Sequence, residues 1–152
     1  MQAWRIAKRR YALDRTGAGA AIKGGRWNSA NVAAIYAGLT VEIAAFEKLV
    51  HAGAILPIDL VVVRIDLPDE AALYQTPPLN ELPQGWNELP SSPAAAAFGD
   101  TFLAAGERLG LVVPSAVIPE ASNMLINPSH PRMSDVTMEI LREFTFDTRL
   151  RR

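Results

Sequence analysis

Leu60-Val-Val-Val-Arg-Ile65, set between Pro57 and Pro68, is the stretch on which the reading of the fold turns. β-branched side chains suit extended backbone, and a nearly unbroken apolar run suits a strand covered on both faces. The stretch therefore predicts the central strand of a sheet. Just upstream, Thr40 is a good N-cap and Gly53 a stop, so Val41 to Ala52 reads as a helix of about three turns. On a helical projection Ile43, Phe46, Leu49 and Val50 form its apolar stripe. Glu47 falls beside that stripe, one turn from Ile43, whereas Lys48 points elsewhere. Its carboxylate starts at the core boundary, where it can line a cleft.

Towards the N-terminus, Trp4 to Ile6 is a short apolar segment of strand character, and Asp14 to Ala20 has the small, permissive residues of a loop. Gly24-Gly25 precede Arg26 and admit a close backbone approach, by a neighbouring strand or by a ligand. Val32 to Ala37, ending at Gly38, reads as a buried strand. Towards the C-terminus, five of the eleven prolines lie from Pro77 to Pro93, with Trp86 among them. That excursion is irregular but too apolar for a flexible linker. Cutting the chain there would leave two pieces each too small to bury a core, so residues 1–152 are expected to form a single domain.

Ser92 caps a second helix with Pro93 at its first position, running to Ala105 before Gly106. Leu111 to Val113 is a strand stopped by Pro114-Ser115, and Asn123 to Ile126 is another, stopped by Asn127-Pro128. Val136 to Phe146 reads as a longer terminal strand. Two principal helices that do not alternate with the strands predict an α+β domain rather than a doubly wound sheet.

Of the 152 residues, 49% are apolar and 20% charged, which excludes a disordered chain. Fifteen basic against sixteen acidic residues give a net charge of −1, so no general field gathers nucleic acid or an anionic membrane. Without cysteine there is no disulfide scaffold, thiolate metal site or cysteine nucleophile. His51 and His130 are the only imidazoles, a poor supply for a metal centre. The charged Met1 to Arg10 segment does not resemble a signal peptide, and no long uncharged apolar stretch occurs, so a soluble cytoplasmic protein is expected.

The candidates for chemistry are polar residues set at the ends of apolar strands or beside a helix's core face. Arg26 follows the diglycine, Tyr36 sits in an apolar strand, Glu47 flanks the helix stripe, and Ser115 and Asn127 each close a strand. Each also has a purely structural reading. Arg26 could pair at the surface, Tyr36 could be a core tyrosine, Glu47 a solvated helix residue, and Ser115 and Asn127 turn formers. His51 suits the helix dipole and His130 a turn. Trp27 and Trp86 read as packing residues; Lys8, Arg9, Arg10, Arg149, Arg151 and Arg152 read as solvated charges.

An ordered series raises the functional reading: Gly24-Gly-Arg-Trp-Asn28, Ile35-Tyr-Ala37, Ala44-Ala-Phe-Glu-Lys-Leu-Val-His51, Val113-Pro-Ser-Ala-Val-Ile-Pro119 and Asn127-Pro-Ser-His-Pro131. It resembles the RES-domain family, toxins of bacterial Xre–RES toxin–antitoxin pairs, named for an arginine, a glutamate and a serine. Arg26, Glu47 and Ser115 stand at those positions. The resemblance implies a split mixed β-sheet with flanking helices, like that of ADP-ribosyltransferase toxins. It also implies NAD⁺ as substrate rather than cofactor, cleaved at the nicotinamide–ribose bond, with ADP-ribose transfer to a protein as the alternative. A noncatalytic nucleotide- or protein-binding module is the third reading.

In that scheme the catalytic set is Glu47, Arg26, Tyr36 and Ser115, with Arg26, Tyr36, Ser115 and Asn127 binding the dinucleotide and no metal required. Glu47 would oppose charge on an oxocarbenium-like ribosyl centre, because nicotinamide is already a good neutral leaving group. Arg26 would grip the pyrophosphate or a ribose with its rigid fork, and Ser115 would hold the ribose or orient Glu47. Tyr36 would wall the nicotinamide or ribose, with Asn127 as a further polar wall. The implied partner is a cognate Xre-type helix-turn-helix antitoxin that carries the DNA contacts, with room for a toxin homodimer in the complex.

Overall fold

One residue pair, Trp4 with Gly38, is the whole of the pairing between strand β1 (Gln2–Lys8) and strand β2 (Ile35–Gly38). The computed structural model describes residues 1–150, and this pair joins the two halves of its sheet. One half continues from β1 to β3 (Leu60–Asp66) and β7 (Thr137–Phe144). The other runs from β2 to β6 (Ser122–Ile126), β5 (Gly110–Pro114) and the two-residue β4 (Tyr74–Gln75). Among the described residues the sheet has seven strands, and only β4 with β5 is a parallel pair; the rest are antiparallel. The sheet is mixed and split, as expected.

β3 is not central: it lies second from the edge, between β1 and β7. Its apolar run has a different cause. Val61, Val63 and Ile65 face a core that runs beneath both halves of the sheet, with Ile35, Ala37, Met124 and Ile126. Leu60 and Val62 on the opposite face are covered by helix α2 (Val41–Val50) through Ala44 and Leu49. A penultimate strand covered on both faces carries the same sequence signature as a central one.

Thr40 caps α2, its hydroxyl accepting from the Ile43 N–H at 3.3 Å. The expected apolar stripe is rotated. Ile43 and Ala44 are buried, but Phe46 and Val50 remain 44% and 49% exposed, because α2 leans on β1 and β2 with its Ile43–Glu47 side. Phe46 instead borders a groove of about 350 Å³ with Leu49, Phe144 and Phe146. Lys48, on the β1 side, is half-buried; burial, then the like charges of Lys8 and Arg5, hold its ammonium below the ordinary value.

Helix α3 (Pro93–Ala105) follows its sequence signals closely, with Ser92 Oγ accepting from the Ala95 N–H and Gly106 in the left-handed region. It covers the other half of the sheet on the same side as α2, packing Ala95, Phe98, Phe102 and Leu103 over Tyr36, Leu111, Val113 and Leu125. The Pro77–Pro93 excursion joins this layer through Leu82 and Trp86. Within the stretch read as a loop, a short helix α1 (Ala18–Lys23) begins, its entry shaped by Asp14, which accepts from the Thr16 and Gly17 N–H groups. Arg149 pairs with Asp147; Arg151 and Arg152 lie outside the described residues.

Candidate active site

Glu47 projects from α2 across the junction of the two half-sheets to the ends of β5 and β6. Ser115 follows β5 with its side chain fully buried, and Asn123 is the second residue of β6, paired with both Gly38 and Val113. Both side chains donate to one carboxylate oxygen, Glu47 Oε1: Ser115 Oγ at 2.7 Å and Asn123 Nδ2 at 2.6 Å. Ser115 Oγ in turn accepts from the Val117 and Ile118 N–H groups at 3.0 and 3.2 Å. The hydroxyl proton is thereby directed at Glu47.

The second oxygen, Oε2, faces His51 Nε2 at 3.7 Å, an ion pair whenever that largely exposed imidazole is protonated. Burial by itself works to raise the Glu47 carboxyl, but His51, Ser115 and Asn123 outweigh it and hold the group below its ordinary value. Near neutral pH the site therefore contains an oriented carboxylate, one oxygen held by Ser115 and Asn123 and the other facing His51.

The second cluster is built on the diglycine. Gly25 N–H donates to Asn28 O at 2.9 Å, closing a turn with Arg26 and Trp27 at its tip. A Cβ on Gly25 would stand 2.8 Å from Tyr36 Oη, so the close approach is a side-chain hydroxyl against bare backbone. Tyr36 Oη accepts from Trp27 N–H at 3.0 Å and donates to Asn28 Oδ1 at 2.6 Å. Burial, chiefly, pushes its phenol above the usual value.

Gly99 of α3 lets the helix meet the turn, since a Cβ there would lie 1.7 Å from Trp27 O. Asp100 next to it accepts from the Ser29 N–H at 2.8 Å. Trp27 is buried, stacked on Trp86 and edge-on to Phe98, which are packing roles. Arg26 Nη1 donates to the carbonyls of Trp86 and Glu88, each at 2.9 Å. Its Nε and Nη2 have no hydrogen-bond partner among the described residues, so the outer edge of the fork is open to a ligand.

Strand register places the two clusters on one face. Tyr36 pairs with Leu125 and Gly38 with Asn123, so Tyr36 lies one same-face step, about 7 Å, from the pair that carries Asn123. Arg26, Tyr36, Glu47 and Ser115 are thus brought to one side of the sheet. Asn127 shares that side but not the site: it lies past the far end of β6, four residues from Asn123 and about 13 Å along the chain. Its Nδ2 donates to Leu103 O and its Oδ1 accepts from the Ser129 N–H, and the residue is buried. The polar wall expected of it is a brace between α3 and the loop after β6. His130 caps the following turn through Nδ1, as expected.

Asn123, His51 and Asn28 belong to the site but were given no part in the sequence reading of it. Asn123 had a legible signal, a polar residue in register with the inward-facing Leu125 of an apolar strand. His51 stands four residues after Glu47, the spacing at which helical side chains meet. Among the described residues no cluster of three or more His, Asp or Glu could hold a metal ion, and no helix is long and apolar enough to cross a membrane.

The split sheet with helices on one side is a fold already seen in a chain of the crystal structure of the M. tuberculosis MbcT-MbcA toxin-antitoxin complex. The likeness covers 99% of this chain and 86% of that one, with a TM-score of 0.68 and 18% identity. The chain belongs to the RES domain family, whose model matches residues 2–148. It is 38% identical to the Prs ADP-ribosylating toxin of Sphingobium sp. strain YBL2, over 97% of this chain and 94% of that protein. It is also 35% identical to Toxin Res of Pseudomonas putida, over 97% of each, and 33% identical to Toxin Res of Yersinia enterocolitica, over 99% and 100%.

Proposed function

We propose that this chain is the toxin of a toxin–antitoxin pair and that it cleaves NAD⁺ at the nicotinamide–ribose bond. The observation that carries this reading is Glu47: a carboxylate held ionised, its Oε1 fixed by Ser115 and Asn123 and its Oε2 beside the largely exposed His51, on the side of the sheet that carries Arg26. In NAD⁺ the pyridinium nitrogen takes the electron pair of the breaking C1′–N bond and leaves as neutral nicotinamide. Positive charge then spreads over C1′ and the ring oxygen, and a fixed carboxylate stabilises it in place. Water or inorganic phosphate attacks C1′ and releases its proton, giving ADP-ribose or its 1″-phosphate.

Arg26 binds the pyrophosphate with the Nε and Nη2 edge, while Trp86 O and Glu88 O fix the plane of the guanidinium. Ser115 and Asn123 act through Glu47. A second acceptor, a protein side chain, is favoured by the similarity to a toxin named for ADP-ribosylation. The partner is a helix-turn-helix antitoxin that carries the DNA contacts, in keeping with this chain's charge of −1, and both act in the cytoplasm, where the NAD⁺ pool lies.

The test is incubation of purified chain with NAD⁺ in plain buffer, with phosphate and with cell extract, resolving nicotinamide, ADP-ribose, its phosphorylated form and labelled protein. Nicotinamide release is expected in at least one arm. Its absence from all three, with folded and partner-free protein, removes the proposal. Expression in bacteria should arrest growth, and Glu47→Gln or co-expression of the neighbouring antitoxin should relieve it. Equal toxicity of wild type and variant would contradict the link between cleavage and arrest.

A further inference from the structure

Tyr36 is the residue whose place in the structure departs most from a ligand contact. Its hydroxyl has one proton, and that proton goes to Asn28 Oδ1 at 2.6 Å. It also accepts from the Trp27 N–H at 3.0 Å. Asn28 cannot turn away, because it is buried and its Nδ2 donates to Ala20 O at 3.0 Å and Val32 O at 2.9 Å. Burial also keeps the phenol protonated, so it is not a base. What these bonds do is hold the two residues after Arg26 in the Gly25–Asn28 turn.

We propose that Tyr36 is a positioning residue for Arg26: through Trp27 N–H and Asn28 Oδ1 its hydroxyl presets the turn that presents the guanidinium to an anionic ligand, without touching that ligand itself. Four other contacts support the same turn. Asp100 holds Ser29, Gly99 seats the Trp27 carbonyl, and the Trp86 and Glu88 carbonyls take Arg26 Nη1. An arginine carried on an unbraced turn would have to be ordered on each binding event, which lowers affinity. The ligand assignment rests on the NAD⁺ reading above; the bracing of the turn does not.

Tyr36→Phe keeps the ring and removes only the hydroxyl. Two measurements are made on it: amide hydrogen exchange of the Trp27 N–H by NMR in the free protein, and steady-state kinetics of nicotinamide release. The expected result is at least about tenfold faster exchange at Trp27, a KM for NAD⁺ raised by about tenfold, and kcat within about twofold. In an Arg26→Lys background, which itself raises KM, Tyr36→Phe should add less than about twofold, because both changes act on one guanidinium. Gly25→Ala is the second variant if the first does not fold. Its Cβ would lie 2.8 Å from the Tyr36 oxygen and should likewise raise KM at constant kcat.

A fall in kcat with KM unchanged, or full additivity with Arg26→Lys, would overturn the proposal in favour of direct action on the substrate. Unchanged exchange at Trp27 would overturn it too, since the hydroxyl would then hold nothing. If wild type releases no nicotinamide, it is the NAD⁺ reading that fails, and the exchange measurement alone decides whether Tyr36 braces the turn.

Discussion

Replacing Glu47 by glutamine removes one charge, and with it the pairing to His51, but keeps the side chain's shape, which makes it the sharpest perturbation of this site. Ser115 Oγ and Asn123 Nδ2 lie 2.7 and 2.6 Å from Glu47 Oε1, and the amide oxygen of the introduced glutamine can still accept from both, so the side chain keeps its place. What disappears is the negative charge that the proposed NAD⁺ cleavage sets against the ribosyl centre. A unit charge about 4 Å from that centre, at an effective dielectric constant of about 20, is worth roughly 4 kcal/mol. At about 1.4 kcal/mol per factor of ten, kcat for nicotinamide release should fall about 10³-fold. The assay is initial-rate chromatography at saturating NAD⁺, with Tm measured on the same preparation.

A folded variant retaining kcat within tenfold of wild type would refute the electrostatic role. The same carboxylate gives a pH signature. Its folded-state value lies below the ordinary 4.5, so its ionised form stabilises the fold above the unfolded value, and that contribution is lost as pH falls through the folded one. Activity should therefore persist below the usual carboxylate range, and the loss of stability on acidification should be shallower in Glu47→Gln than in wild type.

Ser115→Ala should cost about 1–3 kcal/mol in denaturant unfolding, because the Val117 and Ile118 N–H groups lose their acceptor, and should lower kcat less than Glu47→Gln does. An unchanged unfolding midpoint would mean that the turn re-forms around water. Asn123→Asp sets a second carboxyl 2.6 Å from Glu47 Oε1, and two like charges at that distance do not both ionise easily. The acid limb of the pH–rate profile should move to higher pH, and an unmoved limb would take Asn123 out of contact with the working carboxylate. Gly99→Ala must push α3 away from Trp27 O, 1.7 Å from the new Cβ, and should lower stability by about 1–3 kcal/mol with a change in Trp fluorescence.

Local chemistry carried most of the element boundaries. The Thr40 and Ser92 caps, Pro93 at a helix start, Gly106 at a helix end and the prolines that stop β5 and β6 all act within a few residues of themselves, so a single sequence suffices to read them. The ordered Arg26, Tyr36, Glu47 and Ser115 pattern was legible for the same reason, as words along the chain. Strand order was not. The Leu60–Ile65 run records that both faces are covered, and that is equally true of a penultimate strand between β1 and β7.

Side-chain roles depended on partners distant in sequence. Ser115 and Asn123 meet Glu47 across 68 and 76 residues, and nothing local to Asn123 says that a carboxylate will stand above it. Asn127 and Ser115 are alike in sequence, each a polar residue closing an apolar strand, yet opposite ends of neighbouring antiparallel strands send one to α3 and the other to Glu47. Tyr36 looked free to face a ligand until the Gly25–Asn28 turn folded back onto its hydroxyl. The sequence alone thus determined which backbone segments are regular and which residue types the chemistry draws on, because capping, propensity and composition are short-range. Which oxygen meets which donor was decided only by the tertiary structure, because hydrogen bonds between remote residues exist only after strand register and helix packing have set their distances.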